Sequence, residues 1–162
     1  MLVRKLKEDD IKKCLDIYNY YVENTCITLE EDKVSYNDFY MRCLTICHNY
    51  PFIVLEDDDL NIIGYAYLST FNPRSAYRIT VDLSIYTSKD YLQKGAGKLL
   101  LHEIEKYAHE QGIKNIISIV TSENSNSLAF HLKNGFKLEG KVNDVAIKFG
   151  KLIGVNYLRK AI

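Results

Sequence analysis

The stretch Leu83-Ser84-Ile85-Tyr86-Thr87-Ser88-Lys89-Asp90-Tyr91-Leu92-Gln93-Lys94-Gly95-Ala96-Gly97-Lys98-Leu99-Leu100 passes from a β-branched, apolar run through a glycine-bearing loop into a helical pattern. Gly95 and Gly97 remove side chains where the backbone must approach a ligand or take positive φ. A helix starting there aims its unpaired N–H groups and positive dipole end back at the loop. That arrangement suits a diphosphate, and Gln93, Lys94 and Lys98 add donors and charge. Two better-known phosphate loops do not fit. Gly97-Lys98 is followed by Leu99, with no glycine at the earlier position that a Walker A loop requires. A dinucleotide fingerprint needs a further glycine where Leu100 stands.

Outward from this loop, the hydrophobic period changes several times. Leu2–Leu6 alternates as a strand. Asp9 and Asp10 stand where they can cap a helix carrying Ile11, Cys14, Leu15, Ile17, Tyr18 and Tyr21. Ser35 caps a second helix, to about Cys47, with Phe39, Met41, Leu44 and Ile46 as its apolar positions. Phe52–Leu55 and Ile62–Leu68 form a hairpin about the Asp57–Asn61 turn, and Arg78–Tyr86 is a fourth strand. A helix runs from about Gly97 to Gln111 with Leu100, Leu101, Ile104 and Tyr107 as its stripe, closed by Gly112. Ile116–Val120 reads as a strand near a sheet centre. Ser125–Lys133 is a short helix ended by Asn134-Gly135, and two strands follow with a turn near Phe149-Gly150-Lys151. The order β-α-α-β-β-β-α-β-α-β-β predicts an α/β fold with a mixed sheet in one domain, 1–162, and not a doubly wound parallel one.

The 162 residues carry 21 Lys plus Arg and 21 Asp plus Glu, a formal net charge of zero. That balance argues against a nucleic-acid partner, whose binding rests on a basic surface. No apolar run reaches the ~20 residues needed to span a bilayer, and the first residues have no signal-peptide h-region. Cys14, Cys26, Cys43 and Cys47 form no CxxC pair, and Cys43, Cys47 and His48 lack a fourth metal ligand. They read as reduced, buried thiols of a cytoplasmic protein without a metal.

With these residues in view the chain resembles the GNAT acetyltransferases, whose coenzyme A loop runs Gln/Arg-x-x-Gly-x-Gly/Ala between strand and helix. Leu92–Gly97 matches in spacing and in both glycines, with Leu92 in place of the Gln or Arg. A closer resemblance, to the phosphinothricin and methionine sulfone acetyltransferase branch, covers most of the chain. It rests on Ile17–Tyr21, Thr25–Glu30, Pro51–Glu56, Gly64–Tyr67, Arg74–Tyr77, Thr80–Tyr86, and on Asn124, Ser127, His131 and Gly135-Phe136. The usual Val-Gly-Phe/Tyr-Lys-x-Gly-x-Trp-x-Asp appears as Val145–Gly154, without the Trp and Asp.

The resemblance implies a mixed, mostly antiparallel GNAT sheet flanked by helices, acetyl-CoA as cosubstrate, and a small amino acid or analogue as acceptor. Acetyl transfer to an ammonium requires a base. The resemblance places Asp82 there, where Glu is usual; one methylene shorter, Asp is expected to work through water. It places His131 as acid or base toward the sulfur. Ile85, Tyr86 and Thr87 offer backbone groups to the pantetheine amides, with Asn124 nearby. Gln93, Lys94, Gly95, Ala96, Gly97 and Lys98 hold the diphosphate. Arg74 and Tyr77 sit at the acceptor-anion positions, where an Arg fork suits a carboxylate or phosphinate. Relatives are usually homodimers. Two alternatives stay open: another acceptor (polyamine, aminoglycoside or protein N-terminus), and a non-catalytic acyl-CoA-binding module.

Overall fold

A computed structural model describes residues 1–92 and 94–162. Its elements are β1 (Leu2–Lys5), α1 (Ile11–Asn24), α2 (Tyr36–Asn49), β2 (Phe52–Glu56), β3 (Ile62–Thr70) and β4 (Thr80–Thr87). They are followed by α3 (Ala96–Glu110), β5 (Asn115–Thr121), α4 (Ser125–Lys133), β6 (Lys137–Lys148) and β7 (Lys151–Ala161). The expected order of helices and strands is the observed one. Seven strands form one sheet in the order β1-β2-β3-β4-β5-β7-β6. All neighbours are antiparallel except β4 and β5. This is the mixed, mostly antiparallel sheet flanked by helices that the resemblance implies.

Alternation along the strands builds two cores, one on each face. Val81 and Leu83 face Leu100, Leu101, Ile104 and Ala108 of α3. Tyr65, Val54 and Phe52 face Leu15, Tyr18, Val22 and Phe39 of α1 and α2. The α3 stripe is buried as its period predicts, with Tyr107 at the margin. Each fully buried Leu or Ile there contributes about 1.5–3 kcal/mol. Gly112, at φ 73°, ends α3 as expected.

Three local expectations are corrected. Asp10 does not cap α1 with its side chain; it accepts from the Lys7 N–H and from both terminal nitrogens of Arg4, so its lone pairs are already used. On α2 only Phe39 and Cys43 are buried, while Met41 and Leu44 are exposed. That helix touches the sheet along a narrow stripe, and Met41 lines a cavity instead of a core. β4 starts at Thr80, because Ser75–Tyr77 form a 3-10 turn and Arg78 N–H closes on Ser75 C=O. Of the cysteines, Cys14 and Cys43 are buried and Cys47 is exposed. No helix among the described residues is long and apolar enough to cross a membrane.

Candidate active site

The parallel pairing of β4 with β5 is short: Thr80↔Asn115, Val81↔Ile116 and Asp82↔Ile117. Beyond it β4 stays with β3 to Thr87, and β5 stays with β7 to Thr121. The two strands therefore part after Asp82, leaving an opening at their C-terminal ends. The ladder parity decides what faces it. Ser88 N–H donates to Ile63 C=O at 2.8 Å, which makes Ser88, Tyr86 and Ser84 the residues hydrogen-bonded to β3. Ile85 and Thr87 then turn their backbone groups to the opening. Tyr86 does not. Its ring packs against Tyr18 and Tyr65, with centroids 5.2 and 5.4 Å away. The Thr87 carbonyl accepts from Tyr21 Oη at 2.6 Å.

The same alternation puts Asp82 on the α1–α2 face, directly across from Ser69 of β3. Asp82 Oδ1 is shielded from water and has no hydrogen-bond partner among the described residues. Burial pushes its carboxyl up to about 6, because desolvation penalises the charged form. Arg78 does not pair with it; its Nη1 donates to Ser75 C=O at 3.4 Å.

His131 belongs to the α3 side, where Phe130 and Phe136 join the core. It is buried on α4, edge-on to the rings of Phe130 and Phe136 at 5.2 and 4.9 Å. Its Nδ1 lies 2.8 Å from Ser127 C=O. A carbonyl only accepts, so Nδ1 carries the proton and Nε2 is left with a lone pair. Nε2 is shielded and has no partner among the described residues. Burial lowers the imidazole's pKa, the Ser127 bond opposing. Thr121 Oγ1, at the end of β5, is a third shielded polar atom without a partner among the described residues. Asp82 and Thr121 stand on the two strands that part, and His131 on the helix that follows β5.

The glycine loop closes the same end. Gly95, at φ 84°, precedes α3 and leaves it without a side-chain cap. A Cβ there would meet nothing within 4 Å, so the space beside it is open. The left-handed backbone is what demands glycine. Lys98 and Leu99 donate to Gly95 C=O, whereas the N–H groups of Ala96 and Gly97 lie before the first helical bond. Ala96 buries its methyl and offers only its backbone. Lys94 Nζ lies over the Tyr91 ring at 4.9 Å, and Tyr91 Oη donates to Asp57 Oδ2 at 2.8 Å. Lys98 is exposed, and Gln93 lies outside the described residues. Gly97 would touch Phe130 with a Cβ at 3.4 Å, so α3 and α4 meet here. Asn124 caps α4, its side chain accepting from Ser127 N–H at 3.1 Å. An open, left-handed glycine before uncapped N–H groups fits a diphosphate, and the turned-out backbone of Ile85 and Thr87 fits a chain of amides.

The family of Acetyltransferase (GNAT) domains matches residues 3–156. This chain is a GNAT acetyltransferase. The domain is 30% identical over 162 residues to the phosphinothricin N-acetyltransferase of Alcaligenes faecalis, covering 99% of this chain and 82% of that one. A phosphinothricin acetyltransferase from Sinorhizobium meliloti, solved in complex with AcCoA, superposes with a TM-score of 0.96. It is 32% identical, over 99% of this chain and 88% of its own. A ribosomal-protein-alanine N-acetyltransferase from Brucella melitensis gives a TM-score of 0.95 at 28% identity, with both chains covered fully.

Within this GNAT domain, Arg74 and Tyr77 lie on the exposed β3–β4 loop, Tyr77 edge-on to Phe71 at 5.7 Å. Neither lines the cavity of about 550 Å³ that opens between α2 and β3. Its walls include Tyr18, Phe39, Arg42, Phe52, Tyr67 and Ser69, and Ser69 is the cross-strand neighbour of Asp82. Sequence reading missed this set, because its members lie on four elements, α1, α2, β2 and β3, and share no spacing. The altered C-terminal motif has a packing reason at one position. A Cβ on Gly154 would lie 2.8 Å from Val142 C=O, where β6 bulges between Val142 and Ala146. An Asp does not fit there.

Proposed function

We propose that this enzyme moves acetyl from acetyl-CoA to the α-amine of a small amino acid or analogue of the phosphinothricin or methionine sulfone type. The observation that carries the reading is the unpartnered Asp82 carboxyl, held where β4 leaves β5 and beside a cavity of acceptor size. When bound, acetyl-CoA supplies the acetyl thioester. The N–H groups of Ala96 and Gly97, with Lys94, Lys98 and Gln93, hold the diphosphate. Ile85 and Thr87 pair with the pantetheine amides, and Asn124, its Oδ1 committed to the cap, offers Nδ2.

Asp82 removes the proton from the acceptor ammonium, directly or through a water in the cavity. A carboxyl near 6 is better matched to that task at neutral pH than one at its usual 3.8. His131 holds its ring by Nδ1–H to Ser127, so as the N–C bond forms and the C–S bond breaks, Nε2 takes the proton that the attacking nitrogen sheds, through water, and passes it to the departing sulfur. A backbone N–H turned into the opening, such as that of Ile85, polarises the acyl carbonyl. The Alcaligenes and Sinorhizobium relatives support the acceptor class by name.

The protein is read further as cytoplasmic, with its four free thiols reduced, and as a homodimer. The outer edge of β6 has no strand neighbour among the described residues. Val142, Val145, Ile147, Phe149 and Leu152 are exposed along that hairpin; an open apolar edge of this kind invites a second chain. Light scattering tests the dimer. Release of coenzyme A, assayed with phosphinothricin, methionine sulfone, spermidine, an aminoglycoside and an N-terminal alanine peptide, tests the reaction. Turnover of the first two alone supports the reading, and turnover of only the others overturns the acceptor. Acetyl-CoA binding without turnover of any acceptor would leave a binding module.

A further inference from the structure

Within that acceptor reading, we infer that Arg42, and not Arg74, takes the acceptor's carboxylate, and that Glu30 occupies its place until the acceptor arrives. Arg42 lines the cavity beside Ser69 and Tyr67, and these two pair across the ladder with Asp82 and Ser84. The guanidinium therefore shares a cavity with Ser69, and the proposed base stands on the next strand, directly across from that residue. Phe39, Met41, Ile46 and Phe52 supply an apolar lining for the rest of the molecule. Arg74, by contrast, is exposed on a loop that does not reach this lining.

Arg42 already shows the recognition it is assigned. Its two terminal nitrogens donate in parallel to Glu30, Nη1 to Oε2 at 3.0 Å and Nη2 to Oε1 at 2.6 Å. This fork is the geometry by which Arg binds any free carboxylate. The side chains are 46% and 33% exposed, respectively, so the pair is a weak surface one that a bound acid can displace. Only Glu30 has to swing out. Two residues earlier Thr28 is held by Tyr18 Oη at 2.9 Å and by buried Lys148 Nζ on its carbonyl at 2.8 Å, which anchors the loop while the carboxylate leaves. Asp38 also lines the cavity, but only an acid can take over the fork from Glu30, so the exchange favours amino acids over amines such as a polyamine.

The test compares methionine sulfone with its carboxamide, in which the α-amine is kept and the carboxylate neutralised. Wild type, Arg42→Gln, Arg42→Lys, Glu30→Gln and Arg74→Gln are assayed for kcat/KM. Binding of the acid is titrated calorimetrically onto each full-length protein with coenzyme A present. Arg42→Gln is expected to reduce the acid-over-amide preference about 30-fold and to weaken acid binding in parallel. Arg42→Lys, which keeps the charge without the fork, should lose part of the preference. Glu30→Gln should tighten acid binding about threefold by removing the competitor. The inference is overturned if the acid and amide suffer equally in Arg42→Gln, or if the preference follows Arg74→Gln. A wild type that acetylates spermidine and no amino acid would bring down the acceptor reading and this inference together. Normal turnover of the acid with no change in preference would bring down the inference alone.

Discussion

The two sides of the β4–β5 opening work by different means. On the α3 side, the proposed recognition belongs to the backbone: the bare N–H groups after Gly95, and Ile85 and Thr87 turned out by ladder parity. On the α2 side it belongs to side chains: Asp82 across from Ser69, and Arg42, Tyr67 and Phe39 around a cavity. Backbone recognition tolerates almost any neighbouring side chain but demands glycine where φ is positive. Side-chain recognition tolerates many backbones but demands particular groups meeting in space. A cosubstrate shared across a family suits the first, and an acceptor that differs between members suits the second.

Mutations can break this division from either side. The largest effect is expected on the α2 side, where Asp82→Asn should lower kcat/KM about 10²–10⁴-fold with little change in acetyl-CoA binding. Its pH profile sharpens the point. Wild-type kcat/KM should fall on the acid side through about 6, as the carboxyl takes its proton, and the variant should lack that limb. Retention of the same limb in Asp82→Asn would falsify the base assignment. His131→Phe comes next, with about a 10²-fold loss of rate. Because Nε2 has no protein partner and the ring sits between two phenylalanines, the thermal midpoint should stay within a few degrees.

On the α3 side Gly95→Ala should act on the cosubstrate alone. Placing a Cβ at φ 84° is expected to destabilise the loop by about 1 kcal/mol. Acetyl-CoA binding should weaken several-fold, while affinity for the acceptor holds. Equal weakening of both would contradict the division. The smallest effect concerns stability. The Asp82 carboxyl is raised from 3.8 to about 6 on folding, so the folded state holds that proton more tightly than the unfolded one. Stability from this group is greatest below 3.8 and is lost as pH rises through about 6. Urea titrations should find Asp82→Asn about 1 kcal/mol more stable than wild type at pH 8, solvent screening being allowed for, and little different at pH 4.

The order of elements, the loop at Gly95, the end of α3 at Gly112 and the caps Ser35 and Asn124 were all legible along the chain. Each depends on a residue's own backbone or on neighbours within one turn. The period of α2 was misread because Met41 and Leu44 are apolar yet exposed, and only the packed sheet shows which stripe is covered. The motifs single out Asp82 and His131, but not that Asp82 Oδ1 is buried on the α1–α2 face or that His131 Nδ1 donates to Ser127 C=O.

The sequence by itself determined the class of fold, the family and the place of the cosubstrate loop, because periodicity and glycine positions act over a few residues. The packed fold alone sets where β4 leaves β5, that Asp82 Oδ1 has no partner among the described residues, and that Tyr18, Arg42 and Ser69 wall one cavity. Those residues meet only after two helices and a hairpin fold back on the sheet, so no local pattern carries their proximity.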